Sequence, residues 1–249
     1  VGESPDWLKH RLMATGLRPI NNIVDITNFV LLETGQPLHA FDYGKITGGH
    51  VVVKKFPAET LFTTLDGVER KLSANDLMIS NESHPMCIAG VFGGLESGVT
   101  NETHDIFLES ACFDPVHVRK TSRHHGLQTD ASFRFERGSN IDVTVDALKR
   151  TANLILKIAG GEIVTSITDV YPTPREHQRV ELSFANLRRL VGKALHPEVV
   201  INILSDLGFT ILSRDISSDT LLLDVPAAKV DVTREADVIE EILRIYGYN

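Results

Sequence analysis

Apolar and polar positions follow two rhythms along the 249 residues, one helical and one alternating. The helical rhythm is clearest between Asn21 and Asp42. Ile23, Val24, Ile26, Phe29, Val30 and Leu31 form an apolar side, and Gly35 sits where a helix C-cap belongs. Asn21, Asn22, Asp25, Thr27 and Asn28 crowd the same two turns, although Asn, Asp and Thr suit a helix interior poorly. Two readings fit this crowding: a capping and solvation pattern, or polar groups held for a ligand. Gln36-Pro37 then places His39 on a turn.

The same logic predicts the other elements. Ser4-Pro5 opens a first helix that ends at Gly16. Strands are expected at Val51–Lys55, Leu77–Ser80, Met86–Val91 and Ile106–Glu109, and Asp66-Gly67 turns a hairpin between Leu61–Thr63 and Val68–Leu72. Asp114-Pro115 caps a helix to about Arg123. A long helix from about Ile141 to Ala159 stops at Gly160-Gly161, and Glu162–Asp169 reads as a following strand. Tyr171 to Gln178 is polar, with two prolines, and marks a domain boundary. Beyond it lie helices Phe184–Val191 and Pro197–Leu207, strands Phe209–Leu212 and Leu221–Val225, and a last helix from about Thr233 to Tyr246. The expected class is α+β: a mixed-sheet domain over residues 1–172, then a small winged-helix-like domain over 175–249.

Composition narrows the function. A net charge of −8 gives no broad footprint for nucleic acid. Between Arg119 and Arg137, however, five Lys or Arg face only Asp130 and Glu136. This local patch suits a short piece of phosphate backbone, and it equally suits a solvated helix face. The two cysteines, Cys87 and Cys112, lie far apart without a CxxC pattern, which points to a reducing, cytoplasmic setting rather than a disulfide or zinc framework. No apolar run of about 18 residues exists, so no membrane span is expected. A start at Val1 and a stop directly after a predicted helix read as a piece of a longer protein.

Three segments place small or polar residues in apolar surroundings. They are Thr27 and Asn28 with His39, the glycine-rich Ile88 to Gly94, and Leu108-Glu109-Ser110-Ala111. Glycines let a ligand approach bare backbone, and a His with a Glu can bind a polar group and orient water. The competing readings are a turn histidine and a salt-bridged glutamate. In the last helix Asp237, Glu240 and Glu241 project from one side, with Asp231 upstream. Such clustered carboxylates favour Mg²⁺ or Ca²⁺, or they form a solvated face paired with Arg234 and Arg244.

NNIVDITNFVLLETGQPLHAFD, AGVFGG, LESACFDP, TDASFRFERG and the terminal DVTREADVIEEILRIYGY together resemble the β subunit of bacterial phenylalanyl-tRNA synthetases. The matches span the chain in the family's order. By this resemblance residues 1–172 correspond to the B3/B4 editing domain and 175–249 to B5. The resemblance implies an ATP- and Mg²⁺-dependent heterotetramer of two α and two β subunits that attaches phenylalanine to tRNA(Phe), with the synthetic site on the α subunit. It implies that this segment hydrolyses tyrosine wrongly esterified to tRNA(Phe). It places catalytic groups at Thr27, Asn28, His39 and Glu109, and an editing pocket at Ala89, Gly90, Gly93, Thr129 and Ala131. A Mg²⁺ site shared with the α subunit falls on Asp231, Asp237, Glu240 and Glu241. Glu109 is the expected acceptor for the tyrosine hydroxyl. The alternative is a non-catalytic RNA-docking module.

Overall fold

The computed structural model describes residues 1–248. The chain forms two compact units, one over Val1–Asp169 and one from Val170 onward.

The first unit opens with α1 (Asp6–Ala14) and α2 (Asn22–Thr34). The polar crowd in α2 tethers the chain entering it. Asn21 accepts a hydrogen bond from the Val24 N–H at 2.9 Å, and Asn22 accepts one from the Gly2 N–H at 3.0 Å. Buried Asp25 accepts from the Ser4 hydroxyl at 2.5 Å and the Ile20 N–H at 2.8 Å. Ser4 is thus spent on Asp25 and does not cap α1, which begins without a side-chain cap. Gly35 ends α2 at φ 77°, a conformation glycine adopts without a Cβ penalty.

There follow β1 (Leu38–Asp42), β2 (Val52–Lys55), β3 (Leu61–Thr63), β4 (Glu69–Lys71), β5 (Leu77–Ser80), β6 (Pro85–Ile88), β7 (Phe92–Gly93) and β8 (Ile106–Ser110). The helices α3 (Pro115–His125), α4 (Asp130–Phe135) and α5 (Thr144–Ile158) complete the unit. β1 and β8 form a two-stranded antiparallel ribbon, and β2-β5-β6-β7 form a four-stranded sheet. Successive strand residues point to opposite faces. Leu38 of β1 packs with Leu8, Leu12, Ile26, Val30, Ala147 and Leu154 from α1, α2 and α5. Phe41 and Phe107 pack instead with Ile79, Met86, Cys87 and Ala89 from the sheet. The ribbon is therefore the middle layer between helices and sheet. A further core, with Met78, Ile88, Val91, Val118 and Phe135, joins the sheet to α3 and α4.

The second unit contains β9 (Arg179–Ser183), α6 (Phe184–Val191), α7 (Pro197–Asp206), β10 (Thr210–Asp215), β11 (Thr220–Asp224) and α8 (Glu235–Tyr246). Its sheet order is β10-β11-β9, so the expected helix pair and hairpin gain a third strand.

Two expectations change. Residues 162–169 form no strand: every residue there is exposed and irregular, with Ile163 at 62% and Val164 at 82% exposure. Gly160 and Gly161, both at positive φ, lead the chain away from any partner strand, and an unpaired strand does not persist in water. The sheets are antiparallel among the described residues, where a mixed sheet was expected.

Candidate functional site

The ribbon register sets His39 directly opposite Glu109. Directly paired residues share a face, and here it is the face of Phe41 and Phe107, toward the sheet. His39 makes an edge-to-face contact with Phe41 at 4.4 Å between ring centroids. Its Nε2 is buried without a hydrogen-bond partner. Burial lowers the His39 pKa to about 4 from an ordinary 6.5, so the ring is neutral at pH 7. Burial raises Glu109 to about 7 from 4.5. Among the described residues no cation pairs with Glu109, so the salt-bridged reading of this carboxylate gives way to an unpaired one. A carboxyl poised near neutrality and a neutral imidazole thus share one face of the ribbon, and perturbed groups of this kind mark candidate sites.

The segment 87–94 forms the opposing wall. Cys87 pairs in register with Gly93. A methyl built on Gly93 would lie 2.9 Å from His39 Cε1 and 2.8 Å from Leu65 Cδ1. Gly93 is thus the seat of the imidazole, whereas the sequence suggested open backbone for a ligand. The Cys87 thiol has a raised pKa, from burial and from the charge of Glu109. Cys87 and Leu65 therefore belong to the site although sequence reasoning passed over them. The signal for Cys87 was its two-residue spacing from Ala89. Gln36 was also missed: it is fully buried, its Nε2 donates to Ala111 O at 2.6 Å and Pro37 O at 3.0 Å, and its Oε1 has no partner.

The other expected residues occupy different surroundings. Thr27 is buried and its hydroxyl donates to Val24 O at 2.7 Å, within its own helix. Asn28 is half-buried on α2. Neither makes a hydrogen bond to His39 or Glu109. Ala89 is buried and lines a cavity of about 400 Å³ with Lys55, Leu77, Phe113, His117 and Val118. Gly90 turns the chain at φ 70°, where a methyl would meet Phe113 at 2.9 Å and Phe135 and Val118 at 3.1 Å. Thr129 caps α4, accepting from the Ser132 N–H at 3.0 Å and donating to Val91 O at 2.8 Å. Ala131 is half-buried against the core behind it. The 88–93 turn thus touches both groups, with His39 at one end and α4 at the other.

On α3, Arg119, Lys120 and Arg123 are exposed. On α4, Arg134 pairs with Asp130 at 3.3 Å, and Arg137 just beyond it pairs with Glu136 at 2.8 Å.

The acidic helix does not gather as expected. Asp237 accepts from the N–H groups of Thr233 at 3.0 Å and Arg234 at 2.9 Å, and from the Arg234 guanidinium at 2.9 Å. Its pKa is held at about 2, chiefly by Arg234. Glu241 is buried and ion-paired to both Lys229 and Arg244. Burial works to raise its pKa, and the two cations outweigh that and lower it. Asp231 and Glu240 are exposed. Among the described residues no three His, Cys, Asp or Glu side chains are placed to hold a metal ion. Two of the four carboxylates, Asp237 and Glu241, are neutralised by cations of their own chain, so this donor set does not fit Mg²⁺ in the arrangement observed.

Comparison with known proteins places these features in a family. Residues 1–160 match the B3/4 domain and residues 180–248 the tRNA synthetase B5 domain. The whole chain is 56% identical to part of the phenylalanine–tRNA ligase β subunit of Porphyromonas gingivalis, covering 30% of that protein. It is 53% identical to that of Bacteroides fragilis, again covering 30%, and 44% identical to that of Geobacter metallireducens, covering 31%. The chain spans about a third of the length of these curated relatives. The chain belongs to the B3/4 domain family and, with its B5 domain, is a region of the phenylalanine–tRNA ligase β-subunit type.

Proposed function

We propose that this chain performs proofreading within an ATP-dependent phenylalanine–tRNA ligase: hydrolysis of tyrosine mis-esterified to tRNA(Phe). The observation that carries the reading is the Glu109–His39 pair, half-buried, in register and shifted toward neutrality from both sides. Phenylalanine and tyrosine differ by one hydroxyl, which an apolar synthetic pocket rejects weakly. A second site built to hydrogen-bond that hydroxyl discriminates far better, because the phenyl ring leaves its polar group unsatisfied. Glu109, near half-protonated at pH 7, can donate to or accept from the phenol.

His39 has a second role. Its Nε2 is free to accept a hydrogen bond from water, but a pKa near 4 makes it a weak base. It positions the water rather than taking its proton outright. Water oxygen bonds to the ester carbonyl carbon, the bond to the ribose oxygen breaks, and tyrosine and uncharged tRNA leave. Thr129 and Ala131 shape the α4 side of the turn. Thr27 and Asn28 act from α2 on the aminoacyl end once tRNA is bound.

In this reading the partners are the α subunit, in a heterotetramer in the cytoplasm, and tRNA(Phe). ATP is used only by the α subunit. A Mg²⁺ shared with that subunit would require Arg234 to leave Asp237 and Lys229 and Arg244 to leave Glu241.

The test is deacylation of Tyr-tRNA(Phe) and Phe-tRNA(Phe) by the complete tetramer, with Glu109→Ala and His39→Ala. Faster release of tyrosine by the parent, and lost selectivity in the Glu109 variant, support editing. One observation favours the docking-module reading: His39 sits tightly against Gly93, and neither it nor Glu109 lines the cavity beside Ala89. A tetramer that releases neither amino acid would establish that reading instead.

A further inference from the structure

Helices α3 and α4 bury their inner faces at one spot. A methyl on Gly90 would lie 3.1 Å from both Val118 of α3 and Phe135 of α4. Their opposite faces therefore both turn outward. The outer face of α3 carries Arg119, Lys120 and Arg123, which are exposed and have no carboxylate within ion-pair distance among the described residues. The outer face of α4 carries Phe133, 54% exposed. The Arg137 guanidinium lies over the Phe133 ring at 3.6 Å, while donating to the Phe133 carbonyl at 3.0 Å and to Glu136 at 2.8 Å. One side of the ring is thus backed by a fixed cation, and the other is left to solvent. This concentration of positive charge stands on a chain whose net charge is −8.

We propose that Phe133, backed by Arg137, is a stacking platform for an unpaired base of single-stranded RNA, whose phosphates run along Arg119, Lys120 and Arg123. The chemistry is that of sequence-tolerant RNA grooves, where an aromatic face takes the base and nearby cations take the backbone. An acidic protein segment would match the cations but leave the ring without a planar partner. The RNA's identity rests on the editing reading: it is the unpaired 3′ end of the aminoacylated tRNA. The path is short. Phe133 lies one helical turn beyond Thr129, whose hydroxyl is bonded to Val91 in the turn that leads to Gly93 and His39.

The experiment uses the complete synthetase carrying Phe133→Ala, Phe133→Leu, Phe133→Trp, Arg119→Gln or Arg123→Gln. The probe is tRNA(Phe) with 2-aminopurine in its unpaired 3′ segment, followed by fluorescence titration. The parent and the Trp variant quench the probe. The Ala and Leu variants do not, and they bind a short unpaired RNA about 5- to 10-fold more weakly. The same variants raise the KM for Tyr-tRNA(Phe) deacylation and keep kcat. Each lost phosphate contact reduces the salt dependence, log K against log salt, by about 0.7.

Unchanged quenching and KM in Phe133→Ala would overturn the platform. So would loss of α-subunit association with quenching intact, which would make this face a protein interface. Quenching by a parent that releases no tyrosine would sink the editing reading while leaving the platform standing.

Discussion

Replacing Glu109 with Gln freezes that side chain in its neutral form and removes one of two opposed titrations. Glu109 has its pKa raised by burial, from 4.5 to about 7. The stability it contributes is therefore fully present below pH 4.5 and is lost as pH rises through about 7. His39 has its pKa lowered by burial, from 6.5 to about 4. Its contribution is present above pH 6.5 and is lost as pH falls toward 4. At ~1.4 kcal/mol per pH unit, each amounts to at most about 3.5 kcal/mol. Between pH 4.5 and 6.5 the two slopes cancel, and the parent shows little of either. Each variant unmasks the other group. Relative to the parent, Glu109→Gln gains stability as pH rises from 4.5 to 7, and His39→Gln gains as pH falls from 6.5 to 4. Urea unfolding at half-unit pH steps, scored as the difference from the parent, cancels background titrations such as that of Asp76. A flat difference for Glu109→Gln across pH 4–8 would mean a solvated carboxylate, and the recognition role assigned to it would fall.

Three further substitutions separate site from scaffold. Gly93→Ala has no backbone obstacle, but His39 must move about 0.6 Å and Leu65 about 0.7 Å to restore a ~3.5 Å contact. Deacylation should fall on the order of 10²-fold with little loss of thermal stability. At the next residue a methyl would lie 2.6 Å from the Met86 carbonyl oxygen and 2.7 Å from Phe62 Cζ, so Gly94→Ala should cost stability first, about 2–3 kcal/mol by urea unfolding. Buried Asp76 binds His125 Nε2 at 2.6 Å and accepts from the Thr121 hydroxyl at 2.9 Å and the Ser73 N–H at 2.8 Å. Asp76→Asn should destabilise the first unit by about 3 kcal/mol, since it removes the carboxylate charge and one of the two acceptor oxygens that His125, Thr121 and Ser73 share, while deacylation per folded molecule is unchanged.

Elements announced by local chemistry were legible in the sequence. Asn21 and Asp114 cap α2 and α3, as Asn and Asp just before a helix imply, and Gly35 ends α2 as expected. β1 was not legible, because Leu38 packs into the helical core and Phe41 into the sheet core; a strand buried on both faces shows no apolar–polar alternation. β9 does alternate, with Val180 and Leu182 inward, but a proline-rich flank drew attention to the boundary instead. α4 carried a readable signal in Thr129 and Ser132, whose reciprocal capping needs no long-range contact. Residues 162–169 show the reverse failure, a run rich in β-branched residues with no neighbour to pair with. At the site, His39 and Glu109 were each visible as polar groups in apolar runs. Their apposition depends on pairing across the ribbon, which no local window contains. In the acidic helix, spacing reveals the carboxylates and not the Lys229 that folds back onto Glu241.

The five-residue ribbon of β1 and β8 has a consequence for how this region can change over generations. Side chains on a strand alternate with a period of two, so a slip of one residue exchanges its faces entirely. One inserted or deleted residue within Ile106–Ser110 would turn Glu109 toward the helices and bring Leu108 or Ser110 round to His39. Substitutions can therefore tune this site by degrees, but a change of length in the ribbon allows no intermediate. Lineages that keep the function are expected to vary in the identity of its residues, to carry their insertions in the surrounding loops, and to hold the ribbon's count fixed.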